Sequence, residues 1–337
     1  VTAVGAAEPF RWQDGERLIV FGRGSLGAIQ ELLDRPYVLL TTSRAASQGP
    51  ALVSGATAVH EVPSGRVDEL AAGLRERVEG ELLVALGGGR VIDVAKALAA
   101  ADPPRRVAAI PTTLSGAEMT SVHRHAAGIP LETPRARPAI VVNDPAMSAS
   151  APLRSLAASA ANAFGHAAEG PLTPLSNPVA TLAAHHSARM IAACLPPRAP
   201  ALDFDGQDTL ALAALLAGYV IGSTGYGLHH VVAQTLARYA GVPHGVANAV
   251  MLPVSLVALE RRFPSGIAAL GEALGAPPPD FASRLCELTG VVRLRDAEVS
   301  EDELERCAEA AAARPELHLT PPPADRNELR ELYAAAY

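Results

Sequence analysis

The chain is poor in cysteine, in aromatic side chains and in unbroken apolar runs, and it has no excess of positive charge. Its three cysteines, Cys194, Cys286 and Cys307, are far apart and fit no C-x-x-C spacing. That sparse, odd count reads as a reduced, intracellular protein rather than a disulfide scaffold. Aromatic residues make up 4% of the chain, a bias that says little about function. Lys and Arg number 28 against 35 Asp and Glu, a formal net charge of −7. A basic nucleic-acid footprint is therefore absent, and an anionic ligand must be met by locally placed cations or helix N-termini. The longest apolar stretches are broken by Gly, Pro or charge before membrane-span length. The segment Val1 to Asp14 has no basic stretch followed by an apolar core. The expectation is a cytoplasmic protein with neither membrane nor nucleic-acid partner.

What is present is apolar mass: 49% hydrophobic and 19% charged residues in a chain of 337. That length suggests two domains. Through about residue 148, short apolar runs alternate with helical patterns. Leu18–Phe21, Tyr37–Thr41, Leu82–Leu86, Val107–Ile110 and Ala139–Val142 are strand candidates. Continuous apolar strands separated by helices point to a parallel sheet buried on both faces. Ser25 reads as the N-cap of a helix through Leu33, and a second helix is expected over about 91–101. From 149 to 337 no strand pattern stands out. Ala/Leu-rich stretches at 152–170, 176–195, 208–240, 246–263, 265–274, 279–290, 300–313 and 325–336 read as an all-helical second domain. Proline-rich stretches at 196–200, 277–279 and 321–323 read as helix stops.

Several motifs carry chemistry. Leu86-Gly-Gly-Gly-Arg90 follows a strand and opens a helix, so backbone N–H groups of Gly87, Gly88 and Gly89 can approach a pyrophosphate. Asp93 and Lys96 lie on the first turns of that helix. Gly22-Arg-Gly-Ser-Leu-Gly27 also fits G-x-G-x-x-G, but no acidic residue ends the next strand. That strand runs into Thr41-Thr42-Ser43-Arg44, where Thr42 is a candidate cofactor contact. Arg44 there reads first as a surface residue, with contact to a 2′-phosphate as the alternative. Thr112, Thr113 and Ser115 place three hydroxyls after another strand end, where open α/β sheets bind ligands; turn chemistry is the bland reading. Three histidines, His166, His230 and His244, lie on two helix-like segments, with Asn162 one turn before His166. Four such positions can form a metal site, although Asn162 supplies an amide where a carboxylate is usual.

The strings Ala85-Leu-Gly-Gly-Gly-Arg-Val-Ile-Asp-Val-Ala-Lys96, Ile110-Pro-Thr-Thr-Leu-Ser-Gly-Ala-Glu-Met-Thr120, Ala161-Asn-Ala-Phe-Gly-His-Ala-Ala-Glu169, Gly227-Leu-His-His230 and Pro243-His-Gly-Val-Ala-Asn-Ala-Val-Met-Leu-Pro253 resemble, in order and spacing, the iron-containing alcohol dehydrogenase superfamily. Ser-Gly-Ala-Glu-Met-Thr and Gly-Leu-His-His look most like the maleylacetate reductases within it. The resemblance implies an α/β dinucleotide-binding domain, a helical domain and an active site in the cleft between them. It implies NADH or NADPH as cofactor, with Gly87, Gly88 and Gly89 at the pyrophosphate and Asp93, Thr112, Thr113 and Ser115 at contact positions. The family's iron or zinc positions fall on Asn162, His166, His230 and His244. A homodimer is implied as well.

This chain departs from the family pattern in several places. Asn162 stands where metal-binding members have Asp, so Fe²⁺ or Zn²⁺ would lose an anionic ligand, and maleylacetate reductases share that Asn. Gln234 stands where a second His is usual, and an amide cannot shuttle a proton near neutral pH. The segment Gly128-Ile-Pro-Leu-Glu-Thr-Pro-Arg135 lacks a family Lys, and Val254 replaces a frequent His. The leading functional expectation is an NAD(P)H-dependent reductase of an unsaturated or keto acid in aromatic-compound catabolism. In it His166, His230 and His244 polarise the substrate oxygen, directly as donors or through a metal, His229 is the spare acid–base group and Arg124 meets a carboxylate. The alternatives are a diverged enzyme of the same fold, acting on another carbonyl or doing elimination chemistry in secondary metabolism, and a catalytically silent binding protein.

Overall fold

The computed structural model describes residues 7–33, 35–149, 151–195 and 202–337. The proline-rich stretch at 196–200 lies outside them. The chain divides into two compact units, one ending at residue 149 and the other beginning at residue 151 among the described residues.

The first unit holds seven strands: β1 Phe10–Asp14, β2 Arg17–Phe21, β3 Val38–Thr41, β4 Ala58–Glu61, β5 Leu82–Gly87, β6 Arg106–Pro111 and β7 Ile140–Asn143. Its helices are α1 Ile29–Leu32, α2 Ser43–Gln48, α3 Pro50–Gly55, α4 Val67–Arg75, α5 Gly89–Ala101 and α6 Pro145–Ala149. The strands form one sheet in the order β1-β2-β7-β6-β5-β3-β4, parallel throughout except for the β1–β2 hairpin. Alternate residues of β3 face opposite sides. Val38 and Leu40 pack with Leu74 of α4 and Val91, Val94 and Leu98 of α5. Leu39 packs with Ile29, Ala45 and Leu52 of α1, α2 and α3. Helices cover both faces, which is why the strands read as unbroken apolar runs.

Two strands escape the apolar pattern. β1 is joined to β2 by the two-residue turn Gly15-Glu16, with Gly15 at φ 58°, the positive value that the first central position of such a hairpin turn requires of glycine. β4 is an edge strand, alternately half-buried and exposed, so it carries little apolar signal. The expected N-cap at Ser25 is also corrected. Gly24 takes the cap position in a left-handed conformation and a short 3-10 turn, Ser25–Ala28, precedes α1. Asp144 from the end of β7 accepts the Leu26 N–H at 3.1 Å, doing from a distance what a serine cap does locally.

Lys96 is the chain's only lysine and is fully buried. Its Nζ donates to the carbonyls of Ala117, Thr120 and Val122 at 3.0, 3.3 and 2.7 Å and pairs with Asp93 at 2.7 Å. One ammonium thus ties the loop after β6 to α5. His123 continues the job: its Nδ1 lies 3.0 Å from the Arg124 carbonyl and its Nε2 accepts the Ala136 N–H at 3.2 Å. Burial pushes its pKa down to about 4, so the ring is neutral and can both donate and accept.

The second unit is helical in its described part: α7 Leu153–Glu169, α8 Pro178–Cys194, α9 Phe204–Thr224, α10 Leu228–Tyr239, α11 His244–Arg262, α12 Pro264–Leu274, α13 Pro278–Thr289, α14 Glu301–Ala312 and α15 Arg326–Ala336. The stretch at 208–240 is two helices, bent by 103° at Gly225-Tyr-Gly227. Gly225 has φ +67°, and a Cβ on Gly227 would sit 2.0 Å from Thr320 Oγ1. Phe164 of α7 meets Phe281 of α13 edge-on at 5.0 Å. No single described helix is long and apolar enough to cross a membrane.

Replacing Lys96 by Met should strand three carbonyls and take away the ammonium that Asp93 pairs with. Urea unfolding is expected to show a loss of ~3–5 kcal/mol; a loss under ~1 kcal/mol would show that the ammonium is not what holds the loop.

Candidate functional site

Each unit carries one half of the candidate chemistry. In the α/β unit the strand order reverses between β3 and β5: β4 lies on one side of β3, and β5, β6 and β7 follow on the other. Open α/β sheets bind ligands outside the carboxyl ends of the strands at such a reversal. Gly87, Gly88 and Gly89 end β5 there and open α5, whose N-cap, Gly88, makes no side-chain capping bond. A Cβ on Gly87 would lie 2.6 Å from Val91, on Gly88 3.1 Å from Thr113, and on Gly89 3.1 Å from Ser115. The Thr112 N–H donates to the Gly87 carbonyl at 3.0 Å. The glycines, Thr112, Thr113 and Ser115 therefore form one cradle that side chains on the turn would fill, and it suits a dinucleotide phosphate.

Thr41 Oγ1 donates to the Leu86 carbonyl at 2.9 Å and brings the end of β3 beside this turn. Thr42 sits there too, but its hydroxyl caps α2 by accepting the Ala45 N–H at 3.2 Å. Asp93 is half-buried and its carboxylate is turned to Lys96. The Gly22–Gly27 loop lies beyond β2, away from the reversal. Arg124 is exposed, and its charge acts on Asp68.

The helical unit gathers the histidines, from three helices rather than two: His166 on α7, His229 and His230 on α10, and His244 opening α11. The rings of His166 and His230 stack at 4.5 Å, and those of His229 and His230 meet edge-on at 4.8 Å. His166, His229 and His230 are buried and His244 is exposed. Burial pushes the pKa of His230 to about 3 and, aided by repulsion from His230, that of His229 to about 3; His166 is held well below its ordinary value by burial. All three rings are neutral at physiological pH. Their approach to α7 depends on Gly165, where a Cβ would lie 2.6 Å from His229 Nε2 and 3.3 Å from His230 Cε1.

Sequence reasoning passed over Glu169, one turn after His166. It is 1% exposed. Its Oε1 accepts the His229 backbone N–H at 2.8 Å, and its Oε2 accepts the His230 N–H at 3.4 Å and His230 Nδ1 at 2.8 Å. Thr320 Oγ1 takes the Leu228 N–H at 2.9 Å. The open N–H groups at the start of α10 are thus met by two side chains from elsewhere in the unit. Burial raises the Glu169 pKa, while neighbouring His229 and the backbone donors oppose the rise. The signal was present as a carboxylate three residues after a histidine, but its target lies about 60 residues on. With His230 Nδ1–H given to Glu169, the tautomer is set and Nε2 is left as a lone pair.

The positions Asn162, His166, His230 and His244 do not make a fitting set for a resident divalent metal. His244 Nε2 is 3.2 Å from the Asn248 amide nitrogen, a donor. Among the described residues no group of three or more His, Cys, Asp or Glu side chains is arranged to hold a metal ion. What the cluster does offer is three buried ring nitrogens without a protein partner: His166 Nδ1, His229 Nε2 and His230 Nε2.

Glu169→Gln should turn an amide N–H₂ toward backbone donors that need an acceptor. Denaturant unfolding is expected to show a loss of ~3–5 kcal/mol. A variant within ~1 kcal/mol of the parent would mean that this carboxylate does not hold α10.

Comparison with known proteins agrees with both halves. The profile of the iron-containing alcohol dehydrogenase family matches residues 17–145, and that of the Fe-containing alcohol dehydrogenase family, C-terminal, matches residues 156–337. A maleylacetate reductase of a Rhizobium species is 31% identical, covering 98% of both chains. Maleylacetate reductase 2 of Cupriavidus pinatubonensis is 37% identical over 67% of this chain and 63% of its own length. The crystal structure of maleylacetate reductase from Agrobacterium tumefaciens superimposes with a TM-score of 0.83 at 27% identity, covering 98% of both chains. A chain with this glycine cradle, this histidine cluster and these relatives belongs to the iron-containing alcohol dehydrogenase family and is an NAD(P)H-dependent oxidoreductase.

Proposed function

We propose that the chain reduces an unsaturated keto acid of the maleylacetate type, with NADH or NADPH, in the breakdown of aromatic compounds. The observation that carries this reading is the cluster of neutral, buried imidazoles with unpartnered nitrogens, backed by Glu169. Relatives named maleylacetate reductase, alignable over nearly the whole chain, support it. Three unpaired, buried cysteines are in keeping with a cytoplasmic enzyme, and a homodimer is part of the same reading.

When bound, a reduced nicotinamide dinucleotide supplies the hydride, and the protein supplies position and electrostatics. In this proposal Gly87, Gly88 and Gly89 with Thr112, Thr113 and Ser115 hold its phosphates. As hydride adds to the alkene carbon, the electron pair moves through the conjugated system to the ketone oxygen. A neutral imidazole with a depressed pKa can donate an N–H to that oxygen without itself being charged. His166, with Nδ1 unpartnered, takes this role and His244 lies at its rim. His230 offers Nε2 as a lone pair of fixed direction, with Glu169 behind it to balance a proton in transit. His229, whose Nδ1 is 3.3 Å from Ser255 Oγ, is the spare proton carrier. A solvent proton then restores the neutral ketone, so each turnover consumes one hydride and one proton.

Gln234 favours keeping a second reading, the same scaffold acting on a different carbonyl or on an elimination. Its amide cannot relay protons, and its oxygen is engaged by Arg314 at 3.1 Å. Elimination would leave the dinucleotide's redox state unchanged over a turnover.

Maleylacetate added to the protein with NADH or NADPH is expected to bleach the reduced-nicotinamide absorbance. Gly165→Ala should lower kcat ~100-fold, by shifting the imidazoles, with NADH affinity retained. No oxidation of either cofactor would remove the substrate assignment. Full activity in Gly165→Ala would remove the histidines from the chemistry.

A further inference from the structure

The mildly acidic chain must meet an anionic substrate with a local cation, and its one lysine is buried inside the α/β unit. The helical unit offers Arg314, between α14 and a 3-10 turn at Pro315–Leu319. Its side chain is 21% exposed. Nε and Nη2 pair with the two oxygens of Glu316 at 2.9 and 3.0 Å. Nη2 also donates to Tyr226 Oη and to Gln234 Oε1, both at 3.1 Å, and Tyr226 Oη donates to Glu316 at 3.0 Å. Nη1 has no hydrogen-bond partner among the described residues, so one end of a rigidly held guanidinium is open.

Both neutral partners of Arg314 flank His230. The Tyr226 ring lies 5.9 Å from the His230 ring. Gln234 is one helical turn on from His230, on the same face of α10, a Cβ separation of about 6 Å. Because the Gln234 carbonyl faces Arg314, its amide N–H₂ faces the other way. A fixed guanidinium edge and an oriented amide thus stand one turn from the imidazoles, and guanidinium is the side chain best matched to a carboxylate.

We propose that Arg314 binds a carboxylate of the substrate through Nη1, with Gln234 donating a second hydrogen bond from its amide, so that the enzyme selects acids over neutral carbonyl compounds. Tyr226 and Gln234 hold the guanidinium in place, and Glu316 is the resident anion with which the substrate carboxylate competes. The residue that replaces a proton-shuttling histidine thereby acquires a recognition role. The inference rests on the reading that the substrate is an organic acid, and it is tested apart from turnover.

The probe is adipate, an unreactive six-carbon dicarboxylate, titrated calorimetrically into the parent, Arg314→Met and Glu316→Gln proteins with NADH present. The parent should bind adipate, and Arg314→Met should weaken binding roughly 10- to 100-fold. In turnover the same variant should raise KM far more than it lowers kcat. Glu316→Gln removes the competing anion but keeps the cation, so it should tighten adipate binding. A purely structural ion pair predicts loss in both variants. If Arg314→Met does not fold, the sign of the Glu316→Gln effect decides. Failure of the parent to bind adipate, equal binding by parent and Arg314→Met, or weakened binding in Glu316→Gln would each overturn the proposal. Adipate binding that depends on Arg314 in a protein that does not reduce maleylacetate would sustain this inference while removing the substrate assignment.

Discussion

A carboxylate shielded from water lies against the N-terminus of α10, and the arrangement of the histidine cluster depends on it. Glu169 takes up backbone N–H groups at the start of that helix and the Nδ1 proton of His230. The helix start and the imidazole are thus fixed by one group. An isolated buried carboxylate would be costly, and an unmet helix N-terminus would be costly too. Placed together, each relieves the other. Gly165, one residue before His166, removes the side chain that would hold the rings off α7. Gly227, at the sharp bend before α10, leaves room for Thr320. The close approach of the His229 and His230 rings to α7 therefore depends on glycine at position 165.

The α/β unit uses the same device at a different place. The turn after β5 is glycine because Val91, Thr113 and Ser115 stand where side chains would go. The strand order reverses beside it. One buried lysine then ties the following loop to α5, using carbonyls that would otherwise face an apolar core. Glu118, buried in that loop and linked to Asn143 at 3.3 Å, is pushed up to about 7 by burial, an acid kept near neutrality by its surroundings.

Local patterns made much of this legible. The five apolar strands, the glycine turn and the Ala/Leu-rich helices are signals contained within windows of ten to twenty residues. What escaped depends on partners far along the chain. The capping of α10 by Glu169 spans about 60 residues, and the pairing of Gln234 with Arg314 spans 80. Asp144 serves as the cap expected of Ser25, across 118 residues. β1 and β4 were missed because an edge strand need not be apolar. The stretch at 208–240 concealed a bend, since two glycines in an apolar run do not say whether a helix merely loosens or turns through a right angle. Histidine spacing suggested a four-point site; among the described residues no such ligand group is assembled, and His244 Nε2 faces the Asn248 amide.

The central claim is that Glu169 fixes His230 as a neutral ring with its proton on Nδ1 and a bare Nε2. Nitrogen-detected NMR of the ¹⁵N-histidine-labelled protein reads this directly. The His230 resonances should show a protonated Nδ1 and an unprotonated Nε2, unchanged from pH 8 down to pH 5, because burial lowers the ring's pKa to about 3. A proton on Nε2 at neutral pH, or titration near the ordinary histidine value of about 6.5, would contradict it.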